Sequence, residues 1–280
     1  MSPVAAQGPL TRAAVISRWS IEEHEGIVYM SDQNRRVVIV TGGSRGIGRR
    51  ISERLADSGH AVVVTYQTGG AAAEEIVESI GARGGEAVAV RADVADPASV
   101  ADLFAAAERS FGGVDVVVHA AGVLTKKPLV DLSVDEIDAM LRTNMRGTLL
   151  VNQQAANLVR SGGAIINIST AVTRVLAPGY TAYVAAKAGL EAASKVLAKE
   201  VAGRGITVNV VAPGPTESEM LTSDVNSSPD PAAYRRYLED MTPMGRIGTP
   251  DDIADVVLVL ADSARWVHGQ VIHTSGGFVV

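Results

Sequence analysis

From Arg35 onward the chain alternates short β-branched runs with helical stretches, and that rhythm leaves few folds open. The apolar runs lie at 35–41 (RRVVIVT), 62–65, 86–91, 114–119, 164–169, 206–211 and 271–273. Runs rich in Val and Ile at this length read as strands buried on both faces. Helix signals stand between them. Asp96 precedes Pro97, an N-cap with proline at the first position. Ser133 and Glu136 match a capping box at the head of a mostly helical stretch to about Arg160. Gly59 and Gly81 are expected helix stops, and Thr249-Pro250-Asp251 a start. A helix over 179–201 completes the series. Strand and helix in alternation imply parallel strands with right-handed crossovers. The expected architecture is α/β: one doubly wound parallel sheet of about seven strands, with helices on both faces.

The first strand runs into Gly42-Gly43-Ser44-Arg45-Gly46-Ile47-Gly48 and then a helix. Strand, glycine turn and helix form the setting a dinucleotide-binding loop requires. Glycines let the backbone approach a pyrophosphate, and the helix N-terminus offers free N–H groups and a positive dipole end. The spacing here is G-x-x-x-G-x-G, and such a turn alone is weak evidence.

Tyr183 and Lys187 lie four residues apart in Tyr-Val-Ala-Ala-Lys, with Ser169 fourteen residues upstream. Positions i and i+4 share one helix face, so an ammonium is expected beside a phenol. A free Tyr titrates near ~10, and a neighbouring cation favours the phenolate. Taken alone the pair is equally a tyrosine on a buried helix edge with a surface lysine.

Together these pieces resemble the short-chain dehydrogenase/reductase family, whose fold is Rossmann-like. The matched residues are Thr41 to Gly48, Asp93-Val94, His119-Ala120-Ala121-Gly122, Asn144, Ser169, Tyr183 with Lys187, and Pro213-Gly214. They occur in the family's order over about 35–280. Within the family the look is closest to β-ketoacyl-acyl-carrier-protein reductases, through SRGIGR, RGITVNVVAPG and Gly276-Gly277. The resemblance implies Tyr183 as general acid in reduction and base in oxidation. Lys187 would lower its pKa and hold the nicotinamide ribose, and Ser169 would orient the carbonyl. Asn144 would hold a helix irregularity and a water feeding a proton relay. Gly42, Ser44, Arg45, Gly46, Ile47 and Gly48 would cradle the cofactor. Thr65 and Tyr66, Asp93 and Val94, then His119, Ala121 and Gly122 would line its adenosine side and centre. Pro213, Gly214, Thr216 and Ser218 would meet the nicotinamide carboxamide. His119 departs from the family's usual Asn, a residue that stabilises the central strand; no second ligand accompanies it, and no metal site is expected.

Cofactor choice turns on the second strand's end. Enzymes using NAD place an acid there for the ribose 2′-hydroxyl. This chain reads Thr65-Tyr66-Gln67-Thr68, and Arg45 can meet a 2′-phosphate. NADP(H) is favoured, with NAD(H) the alternative. Net charge is −6 without a basic cluster, which argues against nucleic-acid or anionic-membrane partners. The chain has no Cys, so disulfides and thiolate metal sites are excluded. No apolar run approaches a membrane span. The expected setting is cytoplasmic.

Residues 1–34 stand outside the pattern. They read as an extension from an early start, with Met30 a second start, or as an arm packing on another subunit through Trp19, Ile21, Ile27, Val28 and Tyr29. The core domain is then 35–280. Residues 215–248 break the rhythm after the sixth strand, where open α/β sheets bind ligands. They read as a substrate lid with Tyr234, Tyr237, Leu238 and Met241 on its apolar face, or as a surface excursion against a neighbour. The resemblance implies a homotetramer, and the small residues of 185–202 and the apolar tail 276–280 fit one. The leading functional reading is an NADP(H)-dependent interconversion of a carbonyl and a secondary alcohol, including reduction of 3-oxoacyl thioesters. The alternatives are an NAD-linked polyol, sugar or steroid dehydrogenase, and a non-catalytic dinucleotide-sensing scaffold.

Overall fold

The computed structural model describes residues 35–279. Among them the strands are β1 (Val37–Thr41), β2 (Ala61–Tyr66), β3 (Glu86–Arg91), β4 (Val114–His119), β5 (Val159–Ile168), β6 (Thr207–Pro213) and β7 (Val271–Thr274). They form one sheet in the order β3-β2-β1-β4-β5-β6-β7, and every neighbouring pair is parallel. The helices are α1 (Gly46–Asp57), α2 (Gly70–Ala82), α3 (Pro97–Phe111), α4 (Val134–Met140), α5 (Gly147–Leu158), α6 (Val172–Val175), α7 (Thr181–Val201), α8 (Glu219–Asn226), α9 (Pro231–Asp240) and α10 (Pro250–Asp262).

Side chains alternate across a strand, and β1 shows what that does here. Val38 and Val40 enter a core with Ile51 and Leu55 of α1, Ile76 of α2 and Val257 of α10. Ile39, between them, enters the opposite core with Leu103 and Phe104 of α3 and Val151 of α5. The sheet is therefore covered on both faces, the doubly wound arrangement expected. Each such fully buried Leu, Ile or Phe contributes about 1.5–3 kcal/mol by leaving water. Strand order reverses between β1 and β4, and the crevice at their carboxyl ends is where this topology binds ligands.

Several boundaries moved, for local reasons. Asp96 accepts from Ser99 N, and Ser133 with Glu136 closes the capping box. Gly81, by contrast, lies inside α2; the left-handed residue that ends it is Gly84, at φ 82°. α7 starts at Thr181 because Gly179 is left-handed, at φ 88°. The 215–248 stretch contains α8 and α9. Val225 and Leu238 pack with Ile247 and Tyr234, but Tyr237 and Met241 face solvent, so the apolar face is smaller than expected. Residues 1–34, including the arm reading, lie outside the described residues, as does Val280. No helix among the described residues is long and apolar enough to cross a membrane.

Candidate active site

Tyr183 and Lys187 occupy the first two turns of α7, both almost fully buried. The ammonium stands 5.9 Å from the centroid of the Tyr183 ring. It donates to Ile168 O at the end of β5, at 2.7 Å. Burial pulls Lys187 down to about 8, while the Glu191 carboxylate pushes the other way. Burial likewise pushes Tyr183 up to about 12, opposed by a hydrogen bond with the Thr170 side chain. The sequence reading expected Lys187 to lower the phenol's pKa. Desolvation dominates here, with only the Thr170 hydroxyl opposing it, and the phenol keeps its proton at neutral pH.

The hydroxyl beside the phenol is also not the one expected. Ser169 Oγ donates to Glu191 Oε1 at 2.6 Å, and Thr173 Oγ1 donates to the same oxygen at 2.9 Å. Ser169 thus serves a carboxylate one turn beyond Lys187, and Thr170 faces Tyr183. Successive side chains at a strand end point to opposite sides, so only one of two adjacent hydroxyls can reach the phenol. Both Thr170 and Glu191 were missed. The available signal was the Ser169-Thr170 doublet itself, and a carboxylate at i+4 from Lys187.

Asn144 is fully buried in a π-helical segment, Leu141–Arg146, between α4 and α5. Its amide brackets the Val123 backbone: Nδ2 donates to Val123 O at 2.8 Å, and Val123 N donates to Oδ1 at 2.9 Å. The expected irregularity is therefore present. Widening the turn rearranges carbonyls, and Asn144 O accepts from Thr148 Oγ1 at 2.7 Å. A Cβ on Gly122 would stand 3.1 Å from Asn144 Oδ1 and 3.5 Å from Lys187 Nζ. The fold thus brings Gly122, Asn144, Lys187, Tyr183 and Thr170 to one place.

At the other end of the crevice lies the glycine turn. Gly42 is left-handed at φ 65°, and a Cβ there would meet the Ala121 backbone at 2.9 Å. A Cβ on Gly48 would stand 2.1 Å from Gly42 O, so only glycine allows α1 to begin so close to β1. The α1 N-terminus has no side-chain cap and no acid in its first turn. Its N–H groups and dipole are left for an anion, which fits a dinucleotide pyrophosphate. The Arg45 guanidinium is well exposed and reaches only Glu219, at 3.9 Å. Ser44 is buried and Ile47 partly covered within the turn.

Other expected cofactor residues divide. Thr65 is buried, and its Oγ1 accepts from Gly42 N, so it supports the turn instead of facing a ribose. Tyr66 is partly exposed, and Gln67 and Thr68 carry the exposed polar side chains there. Asp93 accepts from Ala95 N and pairs with Arg142 at 2.9 Å. Val94 is buried against Gly147. His119 is fully buried and hydrogen-bonded to Thr41 of β1 at 2.8 Å. Burial holds it neutral, near 3, so it ties two central strands together and does not present itself to a cofactor. Ala121 N donates to Thr41 Oγ1. Pro213 ends β6, Thr216 Oγ1 donates to Gly214 O, and Ser218 caps α8. Among the described residues no cluster of three or more His, Asp or Glu stands ready to hold a metal.

Comparison with known proteins bears on the same residues. The family model described as enoyl-(acyl carrier protein) reductase matches residues 42–279. The chain belongs to the short-chain dehydrogenase/reductase family. It is accordingly an oxidoreductase of that fold. An NADPH-dependent aldehyde reductase-like chloroplastic protein of Arabidopsis thaliana is 39% identical over 259 residues, covering 87% of this chain and 94% of its own. The 3-oxoacyl-[acyl-carrier-protein] reductase FabG of Staphylococcus aureus is 39% identical over 242 residues, 85% and 96% of the two chains. A blue fluorescent protein from a metagenomic library, crystallised with NADPH, superposes with a TM-score of 0.82 at 35% identity, covering 88% of this chain and 99% of that one. The resemblance drawn from the sequence, to FabG-like members of this family, is borne out.

Proposed function

We propose that this protein is an NADP(H)-dependent reductase of a ketone, aldehyde or 3-oxoacyl thioester, running reversibly to the alcohol. The observation that carries the reading is a protonated, buried Tyr183 phenol sharing its pocket with the Thr170 hydroxyl, one helical turn from Lys187. Two donors converging on one point suit a carbonyl oxygen and, still better, the alkoxide that develops from it. Tyr183 gives its proton to that oxygen, and the Thr170 hydroxyl orients it. The Lys187 ammonium stabilises the phenolate left behind. Ile168 O holds Lys187 in register, and a water beside Asn144 would return the proton. Bound nicotinamide supplies or accepts the hydride. The α1 N-terminus, Gly46 and Gly48 would hold the pyrophosphate. Arg45, with no acid at the β2 end, would hold a 2′-phosphate, and the NADPH of the relatives supports that choice. The pocket wall around Tyr183 is apolar, from Val123, Leu124, Ile137, Met140 and Val172, which suits an apolar substituent on the carbonyl.

The setting we assign is the cytoplasm. The quaternary state we assign is a homotetramer. The lid at 215–248 closes the substrate end, and residues 35–280 carry the whole activity.

The test is NADPH oxidation by the purified protein across aldehydes, diketones, 3-oxoacyl thioesters, enoyl thioesters and sugars. Turnover of a carbonyl, lost by about 10²-fold or more in Tyr183→Phe, is expected. Turnover confined to the enoyl thioester, or none with any compound, overturns it.

A further inference from the structure

Four polar side chains converge on the substrate side of Tyr183 with no part in the proton path above. Lys126 follows β4, Tyr180 immediately precedes α7, Asp224 lies on α8 and Tyr234 on α9. Asp224 sits at the centre. Its Oδ1 stands 2.9 Å from Lys126 Nζ. Its Oδ2 accepts from Tyr180 OH at 2.8 Å and from Tyr234 OH at 3.2 Å. Lys126 Nζ also donates to Tyr234 OH at 3.1 Å. The ammonium lies 4.2 Å from the Tyr234 ring centroid and 5.3 Å from that of Tyr180.

This cluster differs from the ion pairs on the open surface. Arg54–Asp255 joins two exposed partners, and such a pair holds little. The Asp224 carboxylate is only 7% exposed. A buried carboxylate needs its partners, and here each comes from a different segment. Cation–π contact to two rings adds to the hold on Lys126. The cluster is also the main polar tie from α8 and α9 to the pocket wall, since the remaining lid core is the small group around Val225, Leu238 and Ile247. Tyr180 carries the tie inward, its ring 6.4 Å from that of Tyr183.

We propose that Lys126 and Asp224 are positioning residues that latch the α8–α9 lid against Tyr180 and so set substrate affinity, a role that rests on the carbonyl-reductase reading for its catalytic consequence. The cation and carboxylate neutralise each other, so the latch closes the pocket without offering the substrate a free charge. Lys126 and Asp224 themselves make no contact with the glycine turn, although α8 begins beside it, where Glu219 stands 3.9 Å from Arg45; the latch is therefore read chiefly on substrate affinity. Two polar segments that part together open the pocket as a unit, the behaviour expected of a lid with a small core.

The test compares the full-length protein with Lys126→Met, Asp224→Asn and the double variant. Hydrogen exchange of peptides within 219–240 should speed by at least about tenfold in either single variant, with α10 peptides unchanged. KM for a turned-over carbonyl should rise about tenfold, with kcat within about threefold and NADPH affinity unaltered, because the latch acts on substrate retention and not on the reacting atoms. The double variant should be no worse than the single ones, since removing both charges leaves no unpaired ion. Unchanged lid exchange in Asp224→Asn overturns the proposal. So does faster exchange spread equally into α10, which marks a general structural role, and so do additive effects in the double variant. If no carbonyl is turned over at all, the exchange measurement still decides the latch, and the reductase reading falls separately.

Discussion

In the proposed reduction Tyr183 is the acid, since burial pushes its pKa up to about 12 and keeps the proton on its oxygen at neutral pH. The group that titrates nearer neutrality is Lys187, brought down to about 8 by the same burial. Below that value it is an ammonium that can stabilise the phenolate; above it, a neutral amine that cannot. Reduction should therefore hold a flat kcat/KM from about pH 6 to pH 7.5 and fall along a single limb above about pH 8. A rate profile still flat at about pH 10 would remove Lys187 from the proton path. His119 adds no acid limb in this range, since it is neutral down to about 3. On the proposed mechanism the two hydroxyls at the end of β5 separate by function in the same way. Thr170→Ala removes a donor to the developing alkoxide and should lower kcat by about 10²-fold. Ser169→Ala only frees Glu191 from one of its two donors, Ser169 and Thr173, and should stay within about threefold, a structural loss of roughly one hydrogen bond. Steady-state kinetics of the pair decide it; the reverse order of effects would return the catalytic role to Ser169.

Among the elements, the β1–turn–α1 unit ties sequence to cofactor choice most directly. Its apolar run, left-handed Gly42 and uncapped helix start are each written in adjacent residues. Arg45 is free to meet a phosphate because its contact with Glu219 is long and solvated. Arg45→Ala should weaken NADPH binding by about tenfold while leaving NADH within about twofold, the loss of one charge-assisted contact. Calorimetric titration of both nucleotides checks this, and an equal loss for both would place Arg45 elsewhere. Most of the architecture was legible because strand and helix signals here are local. The alternation of Val38, Ile39 and Val40 between two cores follows from a period of two, and the caps at Asp96 and Ser133 from a few neighbouring residues. What was not legible depends on direction or on distance along the chain. Period two says that Ser169 and Thr170 face apart, but not which faces Tyr183. Thr65 reads as an exposed strand end until the turn folds over it and Gly42 N finds its hydroxyl. The Lys126–Asp224 cluster joins residues almost a hundred positions apart, and no local pattern marks it.

For the whole molecule, the question is what covers the apolar surface exposed on the described residues 35–279. Outward-facing α7 carries Ala185, Ala188 and Ala192, with Gly189 partly exposed beside them. Small residues on one face let a second helix approach closely, and Val196 on the same helix is 57% exposed. A separate apolar surface lies on α10 and just past it, where Val259 is 53% exposed and Trp266 99%. The tail does not dangle there: Met244 N donates to Gly276 O, and Phe278 N to Ser275 O, which folds residues 275–279 back against the end of the lid segment. Two apolar surfaces on different sides of one chain fit two different two-fold contacts, and two such axes generate a tetramer. Light scattering at micromolar protein should return four chains. Ala188→Arg places a long charged side chain in the α7 contact and should leave dimers held by the Trp266 side alone. Trp266→Ser should do the converse. A monomer mass for the parent protein, or a mass unchanged by both substitutions, would show that these surfaces are not where the chains meet.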